Sequence, residues 1–175
     1  IETLQLYPQF DYIVCGEGEA TLAELCIRLR DGGHDRGIDG LAYRENGIAV
    51  LTEPRALITD LDSLPFPARD LIDCSRQAGH SSRGFSNLLH STELFTSRGC
   101  PVGCSFCAIQ AVFGRNVRFR DPDCIEEEIR AVMRDRPFNH LVIADDTFTL
   151  QPDRAARISE IFGRSAIESW NCDTR

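Results

Sequence analysis

Two spacings of apolar residues succeed each other along the chain, and the changes between them divide it into elements. Residues 11–15 (Asp-Tyr-Ile-Val-Cys) form a short apolar run that breaks into Gly16-Glu17-Gly18-Glu19. Leu22, Leu25, Cys26 and Leu29 follow at helical spacing, closed by Gly32-Gly33; the pattern predicts a strand, a tight turn and a helix, as at the edge of a doubly wound α/β domain. The runs at 41–43 and 48–51 flank Asn46-Gly47, a pair that favours a hairpin because both residues tolerate positive φ. From residue 54 to about 73, Pro54, Pro65 and Pro67 stand among polar residues and predict an extended connector. Residues 74–92 carry many Ser and Gly with weak periodicity, which predicts loop and one short helix at most.

A second pattern starts at Glu93. Leu94-Phe95-Thr96 reads as a strand, and a cysteine cluster follows it directly. Asp121-Pro122 is a good helix start, with Ile125, Ile129, Val132 and Met133 then on one face. Residues 141–143 form a strand of the buried type that ends in Asp145-Asp146; Pro152 opens a helix with Ala155, Ile158, Ile161 and Phe162 inward, and residues 169–172 make a third strand. Strand, helix, strand, helix, strand predicts a parallel sheet. That sheet is unfinished at Arg175, and the chain opens at Ile1 although its one methionine is Met133, so the sequence reads as an internal piece of a longer protein.

Composition narrows the class. With 27 acidic against 19 basic residues the net charge is −8, which argues against general nucleic-acid binding but leaves room for a local basic patch. No run of 18 apolar residues predicts a membrane span, and no charged-then-apolar start predicts a signal peptide. Eight cysteines, at 15, 26, 74, 100, 104, 107, 124 and 172, lie in segments of ordinary apolar content. A small secreted disulfide scaffold would be loop-rich, so a reducing, cytoplasmic home is expected.

Only three cysteines cluster: Cys100-Pro-Val-Gly-Cys104-Ser-Phe-Cys107. Three thiolates converge on one centre if the loop wraps around it, and Gly99, Pro101 and Gly103 permit that. Three local ligands leave one position of an iron–sulfur cubane open; the alternative is a structural zinc site completed by Cys124, Cys74 or His90. Asp145 and Asp146 end the second strand, where either one caps the following turn or serves a bound ligand. Arg98, Arg115, Arg118 and Arg120 either balance an anionic ligand or, in the alternation 117–120, form the solvated face of a strand.

The segment 96–107 (Thr-Ser-Arg-Gly-Cys-Pro-Val-Gly-Cys-Ser-Phe-Cys) resembles the signature of the radical S-adenosylmethionine (radical SAM) superfamily, including the aromatic Phe106 before the third cysteine. The resemblance implies that Cys100, Cys104 and Cys107 hold a [4Fe-4S] cluster. Its fourth iron would bind S-adenosylmethionine, whose reductive cleavage gives a 5′-deoxyadenosyl radical. It further implies a partial or full (β/α) barrel with the cluster loop after the first strand, Asp145 and Asp146 near the amino group of S-adenosylmethionine, and Arg175 at the same mouth. Barrel enzymes keep their chemistry at the C-terminal ends of strands.

Residues 11–25 and 60–71 are similar to the junction of cobalamin-binding radical SAM proteins, where a doubly wound cobalamin domain runs through a hairpin and a proline-rich connector into the barrel. By that likeness residues 1–53 end a cobalamin-type domain, 54–92 are connector, and 93–175 begin the barrel. Gly16, Glu17 and Gly18 then lie near cobalamin. A nicotinamide site is not expected there, because the third glycine of the dinucleotide fingerprint is missing and two glutamates would repel a pyrophosphate. The Asp-x-His-x-x-Gly cobalt-ligand motif is absent, and His34 is expected in a surface loop. The implied function is cobalamin-dependent methylation or a related radical transformation of a small-molecule or lipid-like substrate, with a reductant such as flavodoxin or ferredoxin and without nucleic acid. Two alternatives stand beside it. A methylthiotransferase acting on tRNA or a ribosomal protein needs a second cysteine-bound cluster, for which Cys15 and Cys26 are too few. A zinc-stabilised binding module needs a fourth ligand.

Overall fold

The computed structural model describes residues 1–71, 91–135 and 138–174. It forms two compact units: Ile1–Ile58 with Gly103–Gly114, and Thr59–Val102 with Arg115–Arg175.

The first unit holds α1 (Glu2–Leu6), β1 (Tyr12–Val14), α2 (Gly18–Arg30), β2 (Leu41–Glu45), β3 (Ile48–Leu51) and α3 (Ile109–Phe113). The hairpin β2–β3 turns at Asn46 (φ 50°) and Gly47 (φ 80°), the paired positive φ values of a type I′ turn. Strand β1 joins it antiparallel, with Tyr12 opposite Tyr43 and Val14 opposite Leu41. The three strands are thus an antiparallel sheet in the order β1-β2-β3, where the sequence suggested the edge of a doubly wound sheet. The reversal is made at Gly40, whose φ of 74° suits glycine. Its carbonyl accepts from Cys15 N at 2.8 Å, and its own N–H reaches Glu53 O at 2.7 Å.

Helix α2 also faces inward differently from its apolar pattern. Leu25 packs with Ile38, Leu41 and Tyr43, but Leu22, Cys26 and Leu29 are exposed. The other inward residue is Thr21, fully buried. Its hydroxyl donates to Asp39 O (2.9 Å) and accepts from Arg55 Nε (2.8 Å). Arg55 continues to Glu24, which also pairs with Arg28. These polar contacts, rather than leucine spacing, set the rotation of the helix.

In the second unit β4 (Ser91–Leu94), β7 (His140–Ile143) and β8 (Ser169–Cys172) form a parallel sheet in the order β4-β7-β8. A separate antiparallel pair joins β5 (Ser97–Arg98) to β6 (Arg118–Phe119). Helices α4 (Pro122–Asp135) and α5 (Pro152–Arg164) pack on the parallel sheet. Their core of Ile125, Ile129, Ala155, Ile158, Ile161 and Phe162 meets Leu94, Leu141, Ile143 and Phe148. This is the βαβ alternation expected from the sequence, with both proline-opened helices in place.

The connector residues 59–71 belong to this unit. They are irregular apart from single turns at Leu61–Ser63 and Arg69–Leu71. Arg69 ties them down, donating to Thr92 Oγ1 (2.9 Å), Glu93 O (2.7 Å) and Glu128 Oε1 (2.6 Å). Glu128 is 1% exposed and takes Arg120 Nη1 on its other oxygen at 2.5 Å. Arg120 therefore faces inward onto a carboxylate, which neither sequence reading of residues 117–120 anticipated. Among the described residues no helix is long and apolar enough to cross a membrane.

Candidate functional site at the end of the first two parallel strands

Strand β4 stops at Leu94, two residues before the sequence pattern suggested, and the backbone N–H groups of Thr96 and Ser97 are taken by a carboxylate. Asp145, 2% exposed, accepts from Thr96 N (2.6 Å) and Ser97 N (3.0 Å) on Oδ1, and from Thr96 Oγ1 (2.5 Å) and Ser97 Oγ (2.6 Å) on Oδ2. Four donors fill the lone-pair sites of an ionised carboxylate. Behind them Arg154 on α5 donates to Thr96 O (2.6 Å) and Arg120 O (3.0 Å) and lies 4.9 Å over the Phe119 ring. Burial lowers the Arg154 pKa, while the charge of Asp145 works the other way.

Asp146 is placed differently. It accepts the Gly99 backbone N–H, while its Oδ2 is buried with no hydrogen-bond partner among the described residues. Burial raises its pKa, the Gly99 N–H lowers it, and the neighbouring Asp145 charge raises it again. Gly99 has φ 98°, a backbone that side-chain-bearing residues rarely adopt. Thr147 follows, its Oγ1 3.7 Å from Cys100 Sγ. Three consecutive residues after β7 thus hold four positions of the cysteine loop in order: Asp145 on Thr96 and Ser97, Asp146 on Gly99, Thr147 on Cys100.

No disulfide joins the described cysteines. Cys100 is half-buried and belongs to the second unit; Cys104, half-buried, and Cys107, exposed, belong to the first. Cys107 N donates to Cys104 O at 3.1 Å, and Gly103 between the first two cysteines has φ 76°. Phe106 is 89% exposed. Among the described residues no three His, Cys, Asp or Glu side chains are gathered as a metal ion would require. The donor chemistry nevertheless fits an iron–sulfur cluster: three thiols spaced Cys-x3-Cys-x2-Cys, glycines at positive φ beside two of them, and, among the described residues, an unpartnered buried carboxylate oxygen of Asp146 next to the loop.

The remaining sequence candidates fall as follows. Gly16 has φ 76° with open space where a Cβ would stand, and Gly18 begins α2. Glu17 is 7% exposed, and its Oε2 accepts the Ile58 N–H at 2.8 Å, so this oxygen holds the end of the unit rather than facing outward. Cys124 is half-buried on α4, its thiol raised by burial and then by the charge of Asp62. Cys74, His90 and Arg175 lie outside the described residues. Glu128 and Arg154 were missed by sequence reading, although both sit at helical spacing from inward residues, three after Ile125 and four before Ile158.

Residues 94–172 match the model of the radical SAM superfamily. An uncharacterized methyltransferase of Pyrococcus horikoshii is 33% identical over 99% of this chain and 36% of its own length. The anaerobic magnesium-protoporphyrin IX monomethyl ester cyclase of Synechocystis sp. is 32% identical over 82% of this chain and 27% of its own length. Among solved structures, the radical S-adenosylmethionine methyltransferase TsrM of Kitasatospora setae, with cobalamin and a [4Fe-4S] cluster bound, superposes with a TM-score of 0.62 at 23% identity, covering 93% of this chain and 31% of that one. That likeness establishes a shared fold. The chain spans about a third of the length of these proteins or less. With the cysteine triplet inside the matched segment, residues 94–172 of this chain belong to the radical SAM superfamily.

Proposed function

We propose that this chain is part of a cobalamin-dependent radical SAM enzyme that methylates a small-molecule or lipid-like substrate or transforms it by a related radical reaction. The observation that carries the proposal is the clasp of Asp145, Asp146 and Thr147 on the loop that opens the cysteine triplet. In this reading Cys100, Cys104 and Cys107 hold a [4Fe-4S] cluster, which when bound supplies the electron that cleaves S-adenosylmethionine to a 5′-deoxyadenosyl radical.

The two aspartates then have separate tasks. Asp145 is saturated by its own chain and keeps the loop in place. Asp146 has the free oxygen, and a buried carboxylate oxygen without a donor is suited to the ammonium of S-adenosylmethionine. Arg175 and Phe106 are further candidates for contact with the bound cofactors in this reading. Residues 1–53 close a cobalamin-type domain, 54–92 link it to the barrel, and 93–175 supply the first barrel units. Gly16 is where cobalamin can approach the backbone, since it has positive φ and the space a Cβ would take is open. The reductant is a low-potential flavodoxin or ferredoxin, and the setting is cytoplasmic.

The test is anaerobic reconstitution of the full-length protein with iron and sulfide, followed by Mössbauer and EPR spectroscopy with and without S-adenosylmethionine. A [4Fe-4S] signal that changes on adding S-adenosylmethionine and is lost in Cys104→Ala supports the reading. Stoichiometric zinc with no cluster overturns it in favour of a zinc-stabilised module.

A further inference from the structure

The function proposed above uses the contact between Thr147 and Cys100 only to hold the cysteine loop. Thr147 Oγ1 is 3.7 Å from Cys100 Sγ, within hydrogen-bonding range for sulfur, and 2.7 Å from the Asp146 carbonyl oxygen, to which it donates. Thr147 is 8% exposed and Cys100 half-buried, so water competes weakly for either group.

A hydroxyl carries one proton and two acceptor lone pairs, and it rotates to suit its neighbours. While Cys100 carries its thiol proton both contacts are satisfied: the Cys100 S–H donates to Oγ1, and Oγ1–H donates to the Asp146 carbonyl. As an iron ligand Cys100 is a thiolate and can only accept. The one proton left between the two side chains is that of Thr147, and rotation about its Cβ–Oγ1 bond turns it from the carbonyl to the sulfur.

We propose that Thr147 is the hydrogen-bond donor to the Cys100 sulfur in the cluster-loaded enzyme and raises the reduction potential of the cluster. The proposal rests on the radical SAM reading of the cysteine triplet. One-electron reduction adds negative charge that is shared with the ligand sulfurs. A donor aimed at one of them therefore stabilises the reduced state more than the oxidised one. Thr147 acts through the ligand, so it is a positioning residue and not a catalytic one. The exposed Cys107 has solvent as a source of such bonds; at half-buried Cys100 the protein supplies one.

The experiment uses full-length protein reconstituted anaerobically with iron and sulfide, as wild type, Thr147→Val, Thr147→Ala and Thr147→Ser. Potentials are read by EPR-monitored redox titration without substrate. Pulsed EPR in H2O and D2O reads exchangeable protons near the reduced cluster. Thr147→Val, close in shape but without the hydroxyl, is expected to shift the potential to a more negative value and to lose one exchangeable-proton coupling. Thr147→Ser restores both, and Thr147→Ala repeats the loss should the valine variant not fold. Wild-type potential and an unchanged proton signal in Thr147→Val or Thr147→Ala overturn the proposal while leaving the cluster assignment intact. Failure of these two variants to assemble a cluster that the serine variant does assemble overturns it in favour of a role in assembly. Absence of any [4Fe-4S] cluster in the wild type removes the radical SAM reading itself.

Discussion

The Asp145 carboxylate, at the end of one parallel strand, holds Thr96, at the end of its neighbour, by both backbone N–H and hydroxyl. Ser97 adds the same pair of bonds to the same carboxylate. The first turn of the cysteine loop is therefore built by a side chain about fifty residues away, not by its own sequence. Asp145→Ala would strand two N–H groups and two hydroxyls. At about 1–3 kcal/mol for each unsatisfied buried donor, partly relieved by water and hydroxyl rotation, we expect a loss on the order of 3 kcal/mol. Asp145→Asn keeps one acceptor oxygen and should lose less. Urea unfolding of the three proteins checks the order; equal stability of Asp145→Ala and wild type would remove the clasp as a structural device.

Glu128 poses a related question, since a buried carboxylate between two guanidinium groups is a costly arrangement. Its side chain is 2% exposed, against 14% for Arg69 and 11% for Arg120. Breaking such an ion pair from one side costs about 3–5 kcal/mol because charge is left buried without compensation. Glu128→Ala is expected to fall in that range. Glu128→Gln keeps hydrogen-bond acceptance without the charge and should fall below it. Because Arg69 also holds the connector to Thr92 and Glu93, Glu128→Ala should speed proteolysis near residues 69–71. Limited trypsin digestion followed by mass spectrometry reads that directly.

Much of this arrangement was legible in the sequence. Pro122 and Pro152 marked helix starts, residues 169–172 were read as the third strand, and Asn46-Gly47 placed the hairpin turn. These are local signals, in which one or two residues determine the backbone. What escaped was long-range polar bonding. Nothing near Thr96 says that Asp145 will take its N–H. Nothing in the spacing of Leu22 and Leu29 says that Thr21 will be the buried residue. The adjacent aspartates looked equivalent in the sequence; the structure separates them by their partners, one carboxylate filled and the other with an unpartnered oxygen.

Gly40 offers a clean comparison with Gly37. Both have positive φ, 74° and 76°. A Cβ at Gly37 would meet open space, whereas one at Gly40 would stand 3.1 Å from Thr21 Oγ1, 3.2 Å from Cys15 O and 3.3 Å from Arg55 Cβ. Gly37→Ala should therefore cost only the left-handed backbone penalty, about 1–2 kcal/mol. Gly40→Ala adds crowding against backbone and against the Thr21–Arg55 bond, and should be the more damaging by thermal unfolding. Equal effects would mean that the first unit yields easily at this point.

Asp146 links stability to function through pH. Its folded pKa lies above its unfolded value, chiefly because burial disfavours the ionised form. The folded state therefore binds the proton more tightly than the unfolded one. The contribution to stability is fully present below the unfolded pKa and is lost as pH rises through the folded pKa. Asp146→Asn carries no charge to bury and escapes this loss, while its side-chain oxygen can still accept from Gly99. In the cluster-free protein the variant should gain stability relative to wild type as pH rises above about 4, given an unperturbed aspartate near 3.9. Under the proposed function the same substitution should weaken S-adenosylmethionine binding to the loaded enzyme by about tenfold or more, as loss of a charge-assisted bond worth roughly 1.5–3 kcal/mol implies. Thermal unfolding across pH and calorimetric titration with S-adenosylmethionine test the two halves separately. A variant that gains stability and still binds normally would return Asp146 to a purely local role; one that loses binding without the pH-dependent gain would show that its free oxygen is not buried in solution.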